Sequence, residues 1–316
     1  MQQLNVPKPL IVLVGPTAVG KTETSIQLAK KLKAEIISAD SRYFYRGMDI
    51  GTAKPTKEEM AGIVHHLVDI ADPDETWSLS LFQESAIKLI DQLHNEEKIP
   101  LLVGGTGQYV KSVMEAWQMP EIAPNEQLRA YFEQIAKEKG KEFVYKMLKK
   151  NDPEAAEQID YRNLRRSIRA LEVIYLTGEK FSNQKRLSNS PFSRKIIGLK
   201  RDRKTLYERI DQRIDLMINN GLEDEVQRLI NKGYDRDLAS MSGIGYKEMY
   251  AYIEGEISLE ESIRLIKRKT RIFVRRQANW FNENDPSIQW FDAETLNIDD
   301  LVNYIYRDEG WLLPNK

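Results

Sequence analysis

Short, uninterrupted apolar runs alternate with helix-spaced segments over the first 115 residues. Leu10–Val14 is one such run, set between Pro9 and Gly15. Glu35–Ser38 is a second and leads into Asp40-Ser41. His66–Ile70 is a candidate third, and Pro100–Val103 runs into Gly104-Gly105-Thr106. Between them, Glu23–Leu32 and Leu81–His94 have helical spacing, and Asp72–Thr76 reads as a turn. Strands covered on both faces show continuous rather than alternating apolar residues, so this pattern predicts a parallel α/β sheet. Ligands of such sheets bind beyond the carboxyl ends of the strands. Three polar loops fall there: Gly15–Thr22, Asp40–Tyr43 and Gly104–Thr106.

The first loop, Gly15, Pro16, Thr17, Ala18, Val19, Gly20, Lys21 and Thr22, fits the P-loop pattern G-x-x-x-x-G-K-[ST] between a predicted strand and a predicted helix. Its glycines let backbone N–H groups turn toward an anion, and the helix N-terminus adds partial positive charge. Lys21 supplies a full charge, and the Thr22 hydroxyl can reach Mg²⁺. The loop identifies a phosphate binder without saying whose phosphate. Asp40, one strand on, suits a metal ligand, a general base or a helix N-cap. No apolar run ends in the aspartate of a Walker B strand, since Leu101–Val103 ends in glycine. That weakens ATPase and GTPase readings and favours a diphosphate that leaves over a γ-phosphate that is transferred.

The pattern changes near Gln118–Pro124. From Asn125 to Thr177 the chain is charged and helical in period, and Phe181–Arg194 reads as a polar loop. Lys195–Lys200 reads as a strand rejoining the sheet. The fold expected is α/β: a P-loop parallel-sheet core of residues 1–117 and 195–316, with an all-helical insertion over 118–194. Further on, Leu206–Leu229 reads as one long helix closed by Lys232-Gly233. Gly243-Ile244-Gly245-Tyr246 reads as a tight turn, and Ser258–Asn282 as another long helix. Ile288–Phe291 reads as an edge strand, with a short helix from Asp299.

Composition narrows the chemistry. The 316 residues are 41% hydrophobic and 30% charged, with a net charge of −1, so any attraction for nucleic acid is local. With no cysteine, disulfides and thiolate metal sites are excluded and a cytoplasmic location is expected. MQQLNVPKPL lacks a signal-peptide h-region. No apolar run approaches the roughly 20 residues that span a bilayer. Two basic stretches stand out. The spacing of Arg162, Arg165, Arg166 and Arg169 predicts that they share one helical face, which suits a phosphate backbone or a solvated face. Arg264–Arg276 holds seven basic residues and no acid, with Phe273 within it and Trp280-Phe281 after it. That suits RNA contact together with inward packing of Ile266, Phe273, Val274 and Trp280. Arg203, at the opening of a predicted helix, is the cation expected to reach the phosphate site from the other side. His65-His66 with Asp69 makes a poor chelate because adjacent strand residues face opposite ways, so hydrogen bonding is expected.

Six blocks occur in order: GPTAVGKT, ISADSRYFYRGMDIGTAKP from Ile37, HHLVDI from His65, LLVGGTGQYVKS from Leu101, RSIRALEV from Arg166 and GIGYKEM from Gly243. Together, from about Lys8 to Trp290, they resemble the tRNA dimethylallyltransferases, the bacterial isopentenyl-tRNA transferases. Val64 stands where that family usually has proline, and the zinc finger of eukaryotic relatives is absent. The resemblance implies transfer of a dimethylallyl group from dimethylallyl diphosphate to the exocyclic amine of the adenosine 3′ of the anticodon in tRNA, releasing diphosphate. It implies that Thr17–Thr22 bind the donor with Mg²⁺ on Thr22, that Arg203 completes the cradle, and that Asp40 is the general base. Thr106 would act at the acceptor adenine or its flank. Asp40, Ser41, Arg42, Tyr43, Thr106, Arg129, Arg165, Arg166, Ser167, Ile168 and Arg169 would touch the tRNA anticodon stem-loop. The base must leave its stack, and Tyr43, Phe44 and Tyr109 are the candidates to receive it. A monomer without membrane contact is expected. The alternatives are a P-loop kinase of a small metabolite and a non-catalytic RNA-binding module.

Overall fold

The structure, a computed structural model, describes residues 8–119, 122–183, 190–307 and 311. The chain divides into two compact units, Met1–Met114 with Ser190–Lys316, and Glu115–Asn189. In chain order the first unit begins with β1 (Lys8–Val14), α1 (Lys21–Leu32), β2 (Ala34–Ser38), α2 (Lys57–Met60), β3 (His65–His66), α3 (Leu79–Asn95), β4 (Ile99–Gly104) and α4 (Gly107–Met114). The second unit holds α5 (Glu126–Lys139), α6 (Lys141–Asn151), α7 (Pro153–Gln158) and α8 (Leu164–Thr177). The first unit resumes with β5 (Phe192–Lys200), α9 (Arg203–Asn219), α10 (Leu222–Asn231), α11 (Tyr246–Ile253), α12 (Leu259–Gln277), β6 (Ile288–Asp292) and α13 (Ile298–Tyr306). No helix among the described residues is long and apolar enough to cross a membrane.

The six strands form one parallel sheet in the order β3-β2-β4-β1-β5-β6. β1 shows why its sequence is a continuous apolar run. Ile11 and Leu13 point into one core and Leu10, Val12 and Val14 into the other, all fully buried. The first core is closed by α1, by Leu206, Ile210 and Ile214 of α9, and by residues of α10 to α13. The second is closed by Phe82, Ala86 and Ile90 of α3 and by Val110 and Val113 of α4. From β1 the chain goes to β2 on one side and later adds β5 and β6 on the other. The P-loop therefore lies at the switch point of the sheet, where such folds bind ligands.

Four details depart from the expected pattern. β5 begins at Phe192, within the segment read as loop, because Lys8, Pro9 and Leu10 of β1 extend the pairing to Phe192, Ser193 and Arg194. Phe192 pairs with Lys8, Arg194 donates to the Met114 carbonyl at 3.0 Å, and the Lys195 ammonium lies 5.1 Å from the Tyr304 ring. The stretch 206–229 is two helices, divided where Gly221 adopts φ +91°. β3 stops at His66, since Leu67 and Asp69 both take positive φ. α12 ends at Gln277, ahead of Trp280.

Candidate active site

Beyond β1 the chain turns through three positive-φ residues, Gly15 (153°), Ala18 (66°) and Gly20 (117°). Space also fixes Gly15, where a Cβ would lie 2.7 Å from the Leu199 carbonyl oxygen. The turn delivers the chain to the first turn of α1, whose amides lack helical acceptors and carry the positive end of the helix dipole. Lys21 folds back, its Nζ donating to the carbonyls of Gly15 at 3.0 Å and Pro16 at 2.8 Å. Burial lowers its ammonium to about 8, with Asp40 opposing that shift and Arg213 adding to it.

This loop forms one wall of a cavity of about 770 Å³. Thr17, Ala18, Gly20, Lys21 and Thr22 face Asp40 and Tyr43 from the end of β2, Gly104 from the end of β4, and Arg209, Gln212 and Arg213 from α9. Asp40 caps a turn rather than a helix, its Oδ1 accepting the Arg42 N–H at 3.0 Å. A Cβ on Gly104 would sit 2.7 Å from the Ala39 carbonyl oxygen, so glycine lets the ends of β2 and β4 close up. The Tyr43 hydroxyl donates to the Ala53 carbonyl at 2.9 Å. Burial, then the charge of Asp40, pushes this phenol well above its ordinary range. Phe44 is fully buried against Trp77, Phe82 and Tyr109. Tyr109 packs edge-on against Phe82, leaving Tyr43 as the member of the aromatic trio on the cavity wall. Thr106 stands on the turn just beyond that wall, its carbonyl accepting the N–H groups of Tyr109 and Val110.

Arg203 is not the cation that reaches the phosphate loop. It is exposed in the first turn of α9, away from the cavity wall. Arg209, Arg213 and Leu216, spaced i, i+4, i+7, form the stripe of α9 that faces the loop. Arg209 Nε donates to the Ala18 carbonyl at 2.9 Å, and Arg213 Nη2 to the Thr52 carbonyl at 3.1 Å. Two arginines four apart on a helix following the returning strand are the signal that identifies them.

Much of the Asp40–Pro55 block beyond the cavity wall is scaffold. Glu225 of α10, 2% exposed, accepts the N–H groups of Asp49 (3.0 Å), Ile50 (2.8 Å) and Gly51 (3.0 Å) and the Tyr246 hydroxyl (2.6 Å). A Cβ on Gly51 would overlap the Tyr246 ring at 2.6 Å, which joins the Gly51 and Gly243–Met249 motifs in one contact. Buried Lys54 bonds the Tyr45 carbonyl, Asp49 and Asp69. Arg42 is taken up in the same way, donating to the carbonyls of Ala239 at 2.9 Å and Ser240 at 3.0 Å. The histidines make hydrogen bonds, His65 to the Ile63 carbonyl and His66 to Glu35. Among the described residues no group of three or more His, Asp or Glu could hold a metal ion.

In the second unit the arginine stripe separates. Arg162 precedes α8 and pairs with Asp160. Glu172, fully buried, accepts the Asn125 N–H at 2.7 Å, Arg129 Nε at 2.8 Å and Arg169. Burial alone would raise this carboxyl, but the bonds from Arg129, Arg169 and the Asn125 amide hold it below the usual range. Ser167 and Ile168, expected at tRNA, are 0% and 4% exposed, so their side chains turn inward and offer RNA nothing. Arg165 and Arg166 are exposed and make no ion pair among the described residues.

The basic helix α12 also divides. Arg264, Lys267, Lys269 and Arg271 pair with Glu261, Asp215, Glu248 and Asp211. Arg268 and Arg275 make no ion pair among the described residues and line a groove of about 480 Å³ with Tyr207 and Arg271. Ile266 and Val274 are buried as expected, whereas Phe273 and Trp280 are 39% and 37% exposed.

A family model described as IPP transferase matches residues 43–284. The chain is 50% identical over 299 residues to a tRNA dimethylallyltransferase of Roseiflexus sp. (strain RS-1), covering 95% of this chain and 98% of the relative. It is similar to the crystal structure of a full-length tRNA isopentenylpyrophosphate transferase from Bacillus halodurans, with a TM-score of 0.71, 43% identity, and 96% and 97% of the two chains covered. A eukaryotic dimethylallyltransferase captured acting on tRNA superposes with a TM-score of 0.78 at 28% identity, over 95% of this chain and 76% of that one. By sequence and fold, this chain belongs to the IPP transferase family of tRNA dimethylallyltransferases.

Proposed function

We propose that this chain transfers the dimethylallyl group of dimethylallyl diphosphate to the exocyclic amine of the adenosine 3′ of the anticodon in tRNA, acting as a monomer in the cytoplasm. The observation that carries this reading is the opposition, in one cavity, of a phosphate loop to the carboxylate of Asp40. In the reaction the bond between donor C1 and the bridging oxygen breaks, and its electron pair leaves with diphosphate. A bond forms from the adenine amine to C1, and the amine proton passes to Asp40. The α1 amides, Lys21, Arg209 and Arg213 take up the developing negative charge, work that preorganised donors perform well in a dry site. The Thr22 hydroxyl lies on the same wall. That donor set fits Mg²⁺, which keeps its waters and draws ligands from substrate phosphate. Bound at Thr22, it would neutralise diphosphate charge.

Tyr43 would receive the extruded base, with Ser41 and Thr106 at its flank. Arg165 and Arg166 would hold phosphates, as would Arg268 and Arg275 of α12. Arg129 and Arg169 would act indirectly, by fixing Glu172 and the start of α5. The test is incubation with unmodified tRNA and radiolabelled dimethylallyl diphosphate, followed by nuclease mapping. Label on the adenosine 3′ of the anticodon is expected. No label in tRNA, with phosphate transfer from ATP to a small molecule instead, would replace this reading with that of a kinase.

A further inference from the structure

The buried stripe of α12 runs from Ile266 to Val274 and then, where periodicity calls for an apolar side chain, places Gln277. This residue is 6% exposed. Its Oε1 accepts the Thr17 N–H at 2.8 Å, and its Nε2 donates to the Gly105 carbonyl at 3.1 Å. The two backbone groups belong to the loops after β1 and β4, adjacent parallel strands paired as far as Val14 and Gly104. The glycines of the second loop fit this contact. A Cβ on Gly105 would lie 2.5 Å from Gln277 Nε2, and one on Gly107 would lie 2.2 Å from Trp280. The end of α12 is thus seated on the Gly104–Gly107 turn, and one amide bridges that turn to the phosphate loop.

Resting on the prenyl-transfer reading, we propose that Gln277 is a positioning residue that holds the donor's phosphate loop and the acceptor-side turn bearing Thr106 in fixed register. A neutral amide suits the task because one end accepts while the other donates. Glutamate accepts only, and would set a charge beside the diphosphate. Asparagine is one methylene too short to span both partners. Leucine leaves both backbone groups without this partner, the buried Gly105 carbonyl and the part-buried Thr17 N–H. With the Thr17 N–H already engaged, the donor is left the amides from Ala18 onward. A misplacement of about 1 Å between reacting groups can cost about a hundredfold in rate, so the effect belongs in the transfer step rather than in binding.

The test compares the wild type with Gln277→Leu, Gln277→Asn and Gln277→Glu on unmodified tRNA. Four quantities are measured: single-turnover transfer at saturating substrates, donor affinity, tRNA affinity and melting temperature. Gln277→Leu and Gln277→Asn should transfer at least about tenfold more slowly, the effect of about 1.4 kcal/mol in the barrier, with both affinities within about threefold of wild type. Gln277→Glu keeps the shape and the bond to Thr17, so it serves if the other variants do not fold. It should lose both rate and donor affinity. Wild-type rates in folded variants would overturn the proposal. So would a loss confined to donor affinity and abolished by saturation. Tighter donor binding with undiminished transfer would make Gln277 an occupant that the donor displaces, which also overturns it. If the wild type itself transfers nothing, the prenyl-transfer reading fails first and this inference falls with it.

Discussion

Donor affinity should fall with rising pH through the titration of Lys21. Burial in the cavity wall brings its ammonium down to about 8 from the 10.5 of a free side chain. With a pKa of about 8, the charged fraction drops from about nine-tenths near pH 7 to about one-tenth near pH 9. A diphosphate favours the ammonium form and raises its pKa in the complex, so affinity should fall nearly tenfold over that interval. Glu23, Lys30, Asp40, Glu59, Arg209 and Arg213 also face the cavity, so the comparison must cancel them. Lys21→Arg does so, because guanidinium keeps its charge throughout while every other group stays. His65 also faces the cavity, and burial lowers its pKa from 6.5, so it is neutral before the window opens. Tyr43, pushed upward, stays protonated beyond it. The assay is calorimetric titration with a non-hydrolysable thiodiphosphate analogue, in two buffers of different ionisation enthalpy. The wild type should take up about half a proton per ligand near pH 8, and Lys21→Arg measurably less. The stability of the free protein should move the opposite way. The unfolded chain binds more protons between about 8 and 10.5, so wild type should gain stability over Lys21→Met as pH rises through that window. Equal pH slopes in wild type and Lys21→Arg, with no difference in proton uptake, would refute the reasoning.

Three further outcomes follow from the geometry. Asp40→Asn keeps the turn's acceptor but removes the base, so single-turnover transfer should fall by at least about a hundredfold while both substrates bind nearly normally; a full-rate variant would strike Asp40 from the mechanism. Arg165→Ala with Arg166→Ala should lower the log–log salt slope of tRNA binding by about 0.7 to 0.9 per lost phosphate contact, and an unchanged slope would mark a solvated face. Glu172→Ala strands Arg129 and Arg169 and should cost about 3 kcal/mol in a denaturant titration, the low end for breaking a buried pair because both arginines keep some water. A shift under about 0.5 kcal/mol would show that the arginines find other partners.

The core strands were legible because burial on both faces writes itself as a continuous apolar run, and the P-loop because its backbone needs glycine at fixed spacing. Asp40 was legible by position, one strand after that loop. β5 was legible from Lys195 onward but not at its start, where Ser193 and Arg194 are polar and Arg194 bonds the Met114 carbonyl, a partner distant in sequence. Ser167 and Ile168 were misplaced for a related reason. They sit in a motif that carries arginines, but their own phase on α8 turns them to the core.

Arg203 and Gln277 show where local pattern stops being informative. A helical period tells which residues share a face, but only the packing partner decides whether a polar residue on that face meets water or a site. Arg203 stands out in the sequence because it opens the helix after the returning strand. α9, however, turns through about 100° per residue, and the face that meets the phosphate loop recurs at 209, 213 and 216. Gln277 carries the same lesson in reverse. On a helix with seven cations in thirteen positions one glutamine attracts no attention, although it lies on the stripe that Ile266 and Val274 define as buried. A neutral polar residue in phase with a core stripe must find partners there. The partners available at the end of α12 are the backbone of the phosphate loop and of the turn beside it. Such a residue is therefore a better pointer to a site than a cluster of charge, of which, along α12, Lys267, Lys269 and Arg271 pair with acids on neighbouring helices.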